Sequence, residues 1–267
     1  MTELVLQSNL PDPPWLTQAR WRLPGVLPLP LDDWLIRDEV FAEQMALRDR
    51  LIATQPDAVH AMMDDARPAA QECYDTVIQA LRHDRGYIFD ADAVTRPDGI
   101  TVPLDREAPL LTLGRLIQAD ICLMQPGSKG HVLTGAILCF PAYWTLSEMI
   151  GRPLGAIHTP VPEYDDNVGR RVQRLFDAIR PDRPLWRMNA NLHASGELFT
   201  PKREAAPESR IGLEDGTFVR SERQVLRKLP KTGVTVFSIH TYMIRVDDLP
   251  PDARSTLSRL VPGSDGK

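Results

Sequence analysis

A chain of 267 residues, 43% hydrophobic and 25% charged, is long enough to bury a large core and has the composition of an ordinary globular protein. Its formal charge of -5 gives no global basic field, which speaks against non-specific nucleic-acid binding. Cys73, Cys122 and Cys139 show no metal-site spacing, and no apolar run reaches the roughly 18 residues of a membrane span.

Those properties exclude a disulfide framework and a zinc or iron–sulfur cluster of the chain's own. The start MTELVLQSNLPDPPW has neither the basic region nor the apolar core of a signal peptide, so a cytoplasmic location is expected, without membrane or nucleic-acid partners. There is no Gly-x-Gly-x-x-Gly opening a helix and no P-loop, which leaves no case for dinucleotide or triphosphate binding. Any electrons the protein uses must come from elsewhere. No Cys-x-x-Cys-His occurs, so any haem is held non-covalently.

The first 35 residues carry Pro11, Pro13, Pro14, Pro24, Pro28 and Pro30 together with Trp15, Trp21 and Trp34, a composition that suits an extended arm laid over a domain. Val40, Phe41, Met45, Leu47, Leu51 and Ile52 recur near 3.6 residues, and Ala69, Cys73, Val77, Ile78 and Leu81 do so again. Two or three amphipathic helices therefore fill residues 38–84, and residues 108–119 suit a short helix. Residues 121–124 and 131–140 are apolar runs around Pro126-Gly127-Ser128-Lys129-Gly130, the pattern of a β-hairpin.

Residues 139–165 then combine Trp144, a short helix punctuated by Gly151-Arg152-Pro153, and His158. His158 adjoins Thr159-Pro160-Val161-Pro162, where proline fixes φ and removes backbone donors. An imidazole so pinned is either a structural, carbonyl-bonded histidine or a group for chemistry, and the residues alone leave both readings open. Asp165, Asp166 and Asn167 are cap residues for a helix carrying Val168, Val172, Leu175, Phe176 and Ile179 inward. Arg170, Arg171 and Arg174 on its other face are either simply solvated or a docking surface for an acidic partner protein.

Residues 185–193 alternate, with Trp186, Met188, Ala190 and Leu192 on one side and Arg187, Asn189, Asn191 and His193 on the other. The polar side either faces water or lines a pocket, with Arg187 as a fixed donor and His193 as a base or ligand. Residues 218–229 form a strand with Phe218, Arg220, Glu222, Gln224 and Leu226 on one side, and residues 234–244 form the most strand-like segment, with His240 and Tyr242 on one side. Five strands with helices inserted between the second and third give an α+β fold resembling the PAS architecture, an antiparallel sheet with those helices on one face. The expected organisation is an N-terminal wrapping arm and helices over 1–119, the PAS-like domain over 120–248 and a tail over 249–267.

Residues 140–165 (FPAYWTLSEMIGRPLGAIHTPVPEYD), 187–193 (RMNANLH) and 221–243 (SERQVLRKLPKTGVTVFSIHTYM), with the weaker 32–41 (DDWLIRDEVF), lie in order over most of the chain. Together they resemble the alpha subunit of haem-dependent oxidative N-demethylase and the domain family around it. The resemblance implies a PAS-like domain carrying b-type haem and an oxidoreductase that demethylates a small secondary amine such as dimethylamine, using oxygen. It also implies NADPH as the electron source, partner subunits carrying FMN and a [2Fe–2S] cluster, and a tetrahydrofolate-binding subunit that takes up the formaldehyde. On matching positions it makes His158 the iron ligand, with the more exposed His193 as the rival. It makes Arg187 and Glu222 the donor and proton source beside bound oxygen, with Glu222 also the partner of a dialkylammonium group.

Three positions depart from the family pattern: Ala119 where an acidic residue is general, Met149 where a lysine is, and Ala190 where a tryptophan is. An alanine in place of a pocket-side aromatic is expected to enlarge a cavity or weaken a cofactor contact. A haem-binding sensor and a structural subunit of a larger oxidoreductase are the alternatives to an enzyme.

Overall fold

The computed structural model describes residues 4–17, 21, 24–128, 130–157, 166–202 and 216–260. In chain order its strands are β1 (Leu27–Pro28), β2 (His60–Met62), β3 (Ile88–Phe89), β4 (Ala93–Thr95), β5 (Thr101–Pro103), β6 (Asp120–Gly127), β7 (Gly130–Ile137), β8 (Leu185–His193), β9 (Phe218–Lys228) and β10 (Thr235–Arg245). The fold is α+β, with β3, β4 and β5 forming a small sheet of their own. The main sheet runs β1-β8-β9-β10-β6-β7-β2, and every neighbouring pair is antiparallel.

The five strands expected from alternation are its five long members, β6 to β10. The sheet is nevertheless seven-stranded rather than five-stranded, because β1 and β2 from the N-terminal region add to its two edges. Strands of two and three residues are too short to show a period, so nothing in their sequence marks them.

Alternation sends successive side chains to opposite faces, and each face has its own cover. Ile121, Leu123, Ile137, Val225 and Val236 lie in one cluster with residues of the helices Phe41–Thr54, Arg67–Leu81 and Pro109–Gly114. Cys122, Met124, Ala136, Leu226 and Ile239 point the other way and meet Leu146, Met149, Leu154 and Phe176 from the helices Leu146–Met149, Leu154–Ile157 and Asp166–Ala178. The inserted helices thus pack on one face, as expected, and the N-terminal helices cover the other.

The N-terminal arm lies on the sheet. Trp15 is fully buried and its Nε1 donates to Ala253 O at 3.1 Å, while Trp34 Nε1 donates to Ser238 Oγ at 3.0 Å. An indole packs well when its apolar body is sheltered and its one N–H is satisfied. Met188, Ala190 and Leu192 complete this cluster with Leu249, Ala253, Leu257 and Leu260 of the C-terminal turns.

Two buried polar assemblies tie the layers together. Arg48, on the inward side of helix Phe41–Thr54, pairs with Asp120 at 2.6 Å, and both side chains are fully buried. Asp120 also accepts the backbone N–H groups of Cys139 (2.8 Å) and Phe140 (3.0 Å), while Arg48 donates to Gly114 O. Asp38 accepts from Gln118 (2.6 Å) and Gln7 (2.8 Å) and lies 3.0 Å from His240 Nε2. Burial pushes the Asp38 carboxyl up, but the bonds to His240, Gln118 and Gln7 outweigh it and hold it below the usual carboxylate range.

Candidate functional site

The polar side of β8 meets the polar side of β9 in register: Arg187 stands opposite Gln224, Asn189 opposite Glu222, Asn191 opposite Arg220 and His193 opposite Phe218. Opposed residues of an antiparallel pair share a face. Register with β10 and β6 places Ile239 and Cys122 on that face too, the one covered by helix Asp166–Ala178. The strands thus gather Arg187, Asn189, His193, Arg220 and Glu222 on one side of the sheet.

Glu222 is the hub. Its Oε2 accepts from Asn189 Nδ2 and from Gln224 Nε2, each at 3.0 Å, and its Oε1 accepts from Arg220 Nε at 3.2 Å. Its own backbone N–H donates to Asn189 Oδ1 at 3.0 Å, so the two side chains clasp across the strands. An ionised carboxylate offers about four acceptor positions, and three are filled here, which leaves one on Oε1. The Glu222 side chain is only 12% exposed.

Arg220 is buried and spends its remaining donors on backbone carbonyls, Leu198 O at 3.0 Å and Phe140 O. Because Phe140 N–H is already fixed by Asp120, Arg220 binds to a backbone pinned from the other side. Arg220 was read from the sequence only as a strand residue. Its signal was the Arg-x-Glu spacing, which puts guanidinium and carboxylate on one face of a strand.

His193 is buried, at 2% exposure, and not the exposed rival that its position suggested. Burial, reinforced by the nearby Arg220 charge, pushes its pKa down to about 4, so the ring is neutral at pH 7. Its Nδ1 is buried without a hydrogen-bond partner. The ring stacks on Tyr143, with centroids 4.8 Å apart and planes 12° from parallel. Tyr143 takes a left-handed φ of 57°, unusual for a bulky residue, and its backbone N–H is fixed to Thr200 O at 3.0 Å. Nothing in the sequence singled Tyr143 out, because the partner that gives it meaning lies fifty residues away in the chain.

Arg187 has a buried Nε with no acceptor, and desolvation lowers its pKa. An unused donor in a sheltered place suits an anionic group, and an unpartnered neutral imidazole is the ligating form of histidine. On those two orphaned atoms, the residues of this face fit a haem, whose iron takes an imidazole and whose carboxylates take a guanidinium.

His158 lies outside the described residues. Ala190 faces away from Arg187 and Glu222, 1% exposed among Leu10, Trp15 and Leu192, so its small size does not enlarge a cavity on the polar face. Met149 is buried among Leu146, Leu154 and Phe176, and Ala119 offers its carbonyl to Arg48 at 3.2 Å. Arg170, Arg171 and Arg174 are exposed. Among the described residues no group of three or more His, Cys, Asp or Glu is placed to hold a metal ion, and no helix is long and apolar enough to cross a membrane.

An antiparallel sheet that shelters a neutral imidazole, a guanidinium nitrogen without an acceptor and a clasped carboxylate has the chemistry to hold a cofactor and a small polar ligand. The sequence model of the family described as haem-dependent oxidative N-demethylase, alpha subunit-like, matches residues 25–264. The chain belongs to that family. The description of that family implies a haem-dependent oxidative enzyme and, through the words alpha subunit-like, one built with other subunits.

Proposed function

We propose that the chain is the haem-binding, amine-oxidising subunit of an oxidative N-demethylase, acting on a small secondary amine such as dimethylamine with oxygen as co-substrate. The observation that carries this reading is the buried, neutral His193, with its Nδ1 unpartnered, on the same sheet face as Arg187 and Glu222. Five long strands with helices inserted between the second and third support a PAS-like framework for the haem domain.

The residue roles follow from their chemistry. An imidazole, from His158 or His193, would hold the iron of a non-covalent b-type haem, and Arg187 would hold one of its carboxylates. Bound haem would supply the oxygen-activating redox chemistry for oxidation of the amine. Glu222 binds the dialkylammonium group through the free acceptor position of Oε1. Asn189, Gln224 and Arg220 keep the carboxylate from rotating, so it meets the ammonium group already oriented. Arg220 also lies near enough to His193 to help keep its ring unprotonated. The Glu222 side chain is only 12% exposed, which strengthens each charged contact it makes.

Electrons come from NADPH through partner subunits with FMN and a [2Fe–2S] cluster, and a tetrahydrofolate-binding subunit takes up the formaldehyde. The expected compartment is the cytoplasm.

The test is spectroscopic. Purified chain, expressed with haem supply, shows a Soret band that shifts on titration with dimethylamine. Glu222→Gln keeps the band and loses the shift, and whichever of His158→Ala and His193→Ala loses the band identifies the ligand. Haem-free protein after haem supply ends the proposal, and a Soret band that ignores amines leaves a sensor or a structural subunit.

A further inference from the structure

Thr241 stands directly opposite Glu222 on β10, as Asn189 does on β8, so the three residues cross neighbouring strands at one level and on one face. Opposed side chains of this kind have their Cβ atoms about 4.5–5.5 Å apart. Thr241 is fully buried, and its Oγ1 has no hydrogen-bond partner, so no bond joins it to the neighbouring Glu222 carboxylate. A threonine hydroxyl offers one donor and two acceptor positions, and here all are unused. A buried hydroxyl left unsatisfied is costly and calls for an explanation.

The backbone that carries Thr241 is fixed. Its carbonyl accepts Gln7 Nε2 at 3.2 Å and Gln44 Nε2 at 3.0 Å, and the N–H of Met243 donates to Gln7 Oε1 at 2.8 Å. A β-branched side chain is also stiff at χ1, so the hydroxyl is not free to search for a partner. Ile239 and Met243, the next residues of β10 on this face, are buried and apolar and offer it none.

Thr235 shows what an orphaned hydroxyl amounts to by itself. It lies on the same face of β10, fully buried, with its Oγ1 equally unpartnered, but its strand neighbours are Lys228 and Met124. About 20 Å of strand separates it from Thr241. What Thr241 has in addition is a carboxylate beside it with one acceptor position open.

We propose that Thr241 Oγ1 accepts the second N–H of a dialkylammonium ion whose first N–H is bound by Glu222 Oε1, and so makes the site choose secondary over tertiary amines. The inference rests on the binding of the amine at Glu222 proposed above. A dialkylammonium ion carries two N–H donors, and each needs an acceptor once water is excluded. A trialkylammonium ion carries one, and it sets a third alkyl group against the hydroxyl. Thr241 then stays unpartnered, and a site built to hydrogen-bond its ligand rejects the analogue that lacks the bonding group.

The test compares two cations at pH 7. Dimethylammonium and trimethylammonium chloride are titrated into haem-loaded and haem-free full chain, with binding read by calorimetry and, where haem is present, by the Soret shift. The expected result is a preference of about tenfold or more for dimethylammonium in the wild type. Thr241→Val loses about tenfold of dimethylammonium affinity and leaves trimethylammonium unchanged, and Thr241→Ser restores the preference. Thr235→Val removes an equally buried hydroxyl and alters neither affinity. Thr241→Val unfolds no earlier than wild type, because valine suits a strand and brings no orphaned hydroxyl. A preference that survives in Thr241→Val overturns the proposal, as does an equal loss for both cations or a wild type without preference. Wild type that binds neither amine removes the amine reading and this inference with it. Amine binding without a Soret band removes the haem reading, whereas normal amine binding that Thr241→Val leaves unchanged removes the role of Thr241 alone.

Discussion

Asn189 and Glu222 stand directly opposite each other on β8 and β9 and exchange two hydrogen bonds, Asn189 Nδ2 to Glu222 Oε2 at 3.0 Å and Glu222 N–H to Asn189 Oδ1 at 3.0 Å. With Arg220 and Gln224 on the same carboxylate, Glu222 is held by side chains from both strands. Glu222→Ala is expected to cost about 2–4 kcal/mol in urea unfolding, because it strips the buried Arg220 of its carboxylate. Glu222→Gln keeps the volume and part of the bonding, and falls between wild type and Glu222→Ala. Equal stability of the two variants would show that the cluster is not held through Glu222.

His193 makes stability depend on pH with a definite sign. Its pKa is pushed from the ordinary 6.5 to about 4 in the folded state, so between those values the unfolded chain binds more protons. Stability is therefore full above pH 6.5 and is lost as the pH falls towards 4, by up to about 3 kcal/mol on this group's account. Thermal unfolding of wild type and His193→Gln, compared at several pH values across that window, isolates the effect from other acid-sensitive groups. The difference between the two proteins must shrink or reverse as the pH falls.

The Arg48–Asp120 pair is fully buried, so removing one partner is worse than removing both. Asp120→Ala is expected to cost about 3–5 kcal/mol by leaving a guanidinium uncompensated. The double variant Arg48→Met/Asp120→Leu recovers part of that loss. It does not recover all of it, because the backbone N–H groups of Cys139 and Phe140 lose their acceptor. Chemical denaturation of the single and double variants measures the coupling.

Gly130 sits at φ 102°, and a Cβ there would meet Gln173 Oε1 at 2.7 Å. Gln173 clasps His131 through its backbone N–H at 3.1 Å and its ring Nδ1 at 3.0 Å, fastening helix Asp166–Ala178 to the β6–β7 hairpin. Gly130→Ala is expected to cost about 1–3 kcal/mol and to speed amide exchange within that helix. Gly233→Ala, also at positive φ but in open space, is the control for backbone strain alone. Equal exchange in the two variants would mean that Gln173 does not hold the helix down.

Much of the sheet is legible in the chain. Strands β6 to β10 are eight residues or longer, so each displays its alternation several times over, and that same period puts Arg187, Asn189 and His193 on one side of β8 before any neighbour is known. Helix Phe41–Thr54 was legible in its apolar positions but not in Gln44 and Arg48, which are buried with them. A charged residue in a helical repeat reads as an outer position, and Arg48 is inside only because Asp120 waits opposite.

By itself the sequence determined the α+β class, the long strands, the sidedness of their residues, and the family, because these depend on periods and on motifs read within short spans. What only the tertiary structure decided is which polar side of a strand is dry. Glu222 reads as a surface residue until Asn189, Gln224 and Arg220 are brought to it, and His193 reads as exposed until Tyr143 stacks on its ring. Desolvation and partner choice are properties of neighbours distant in the chain, and they turn an ordinary polar strand face into a neutral imidazole, an unpaired guanidinium nitrogen and an oriented carboxylate.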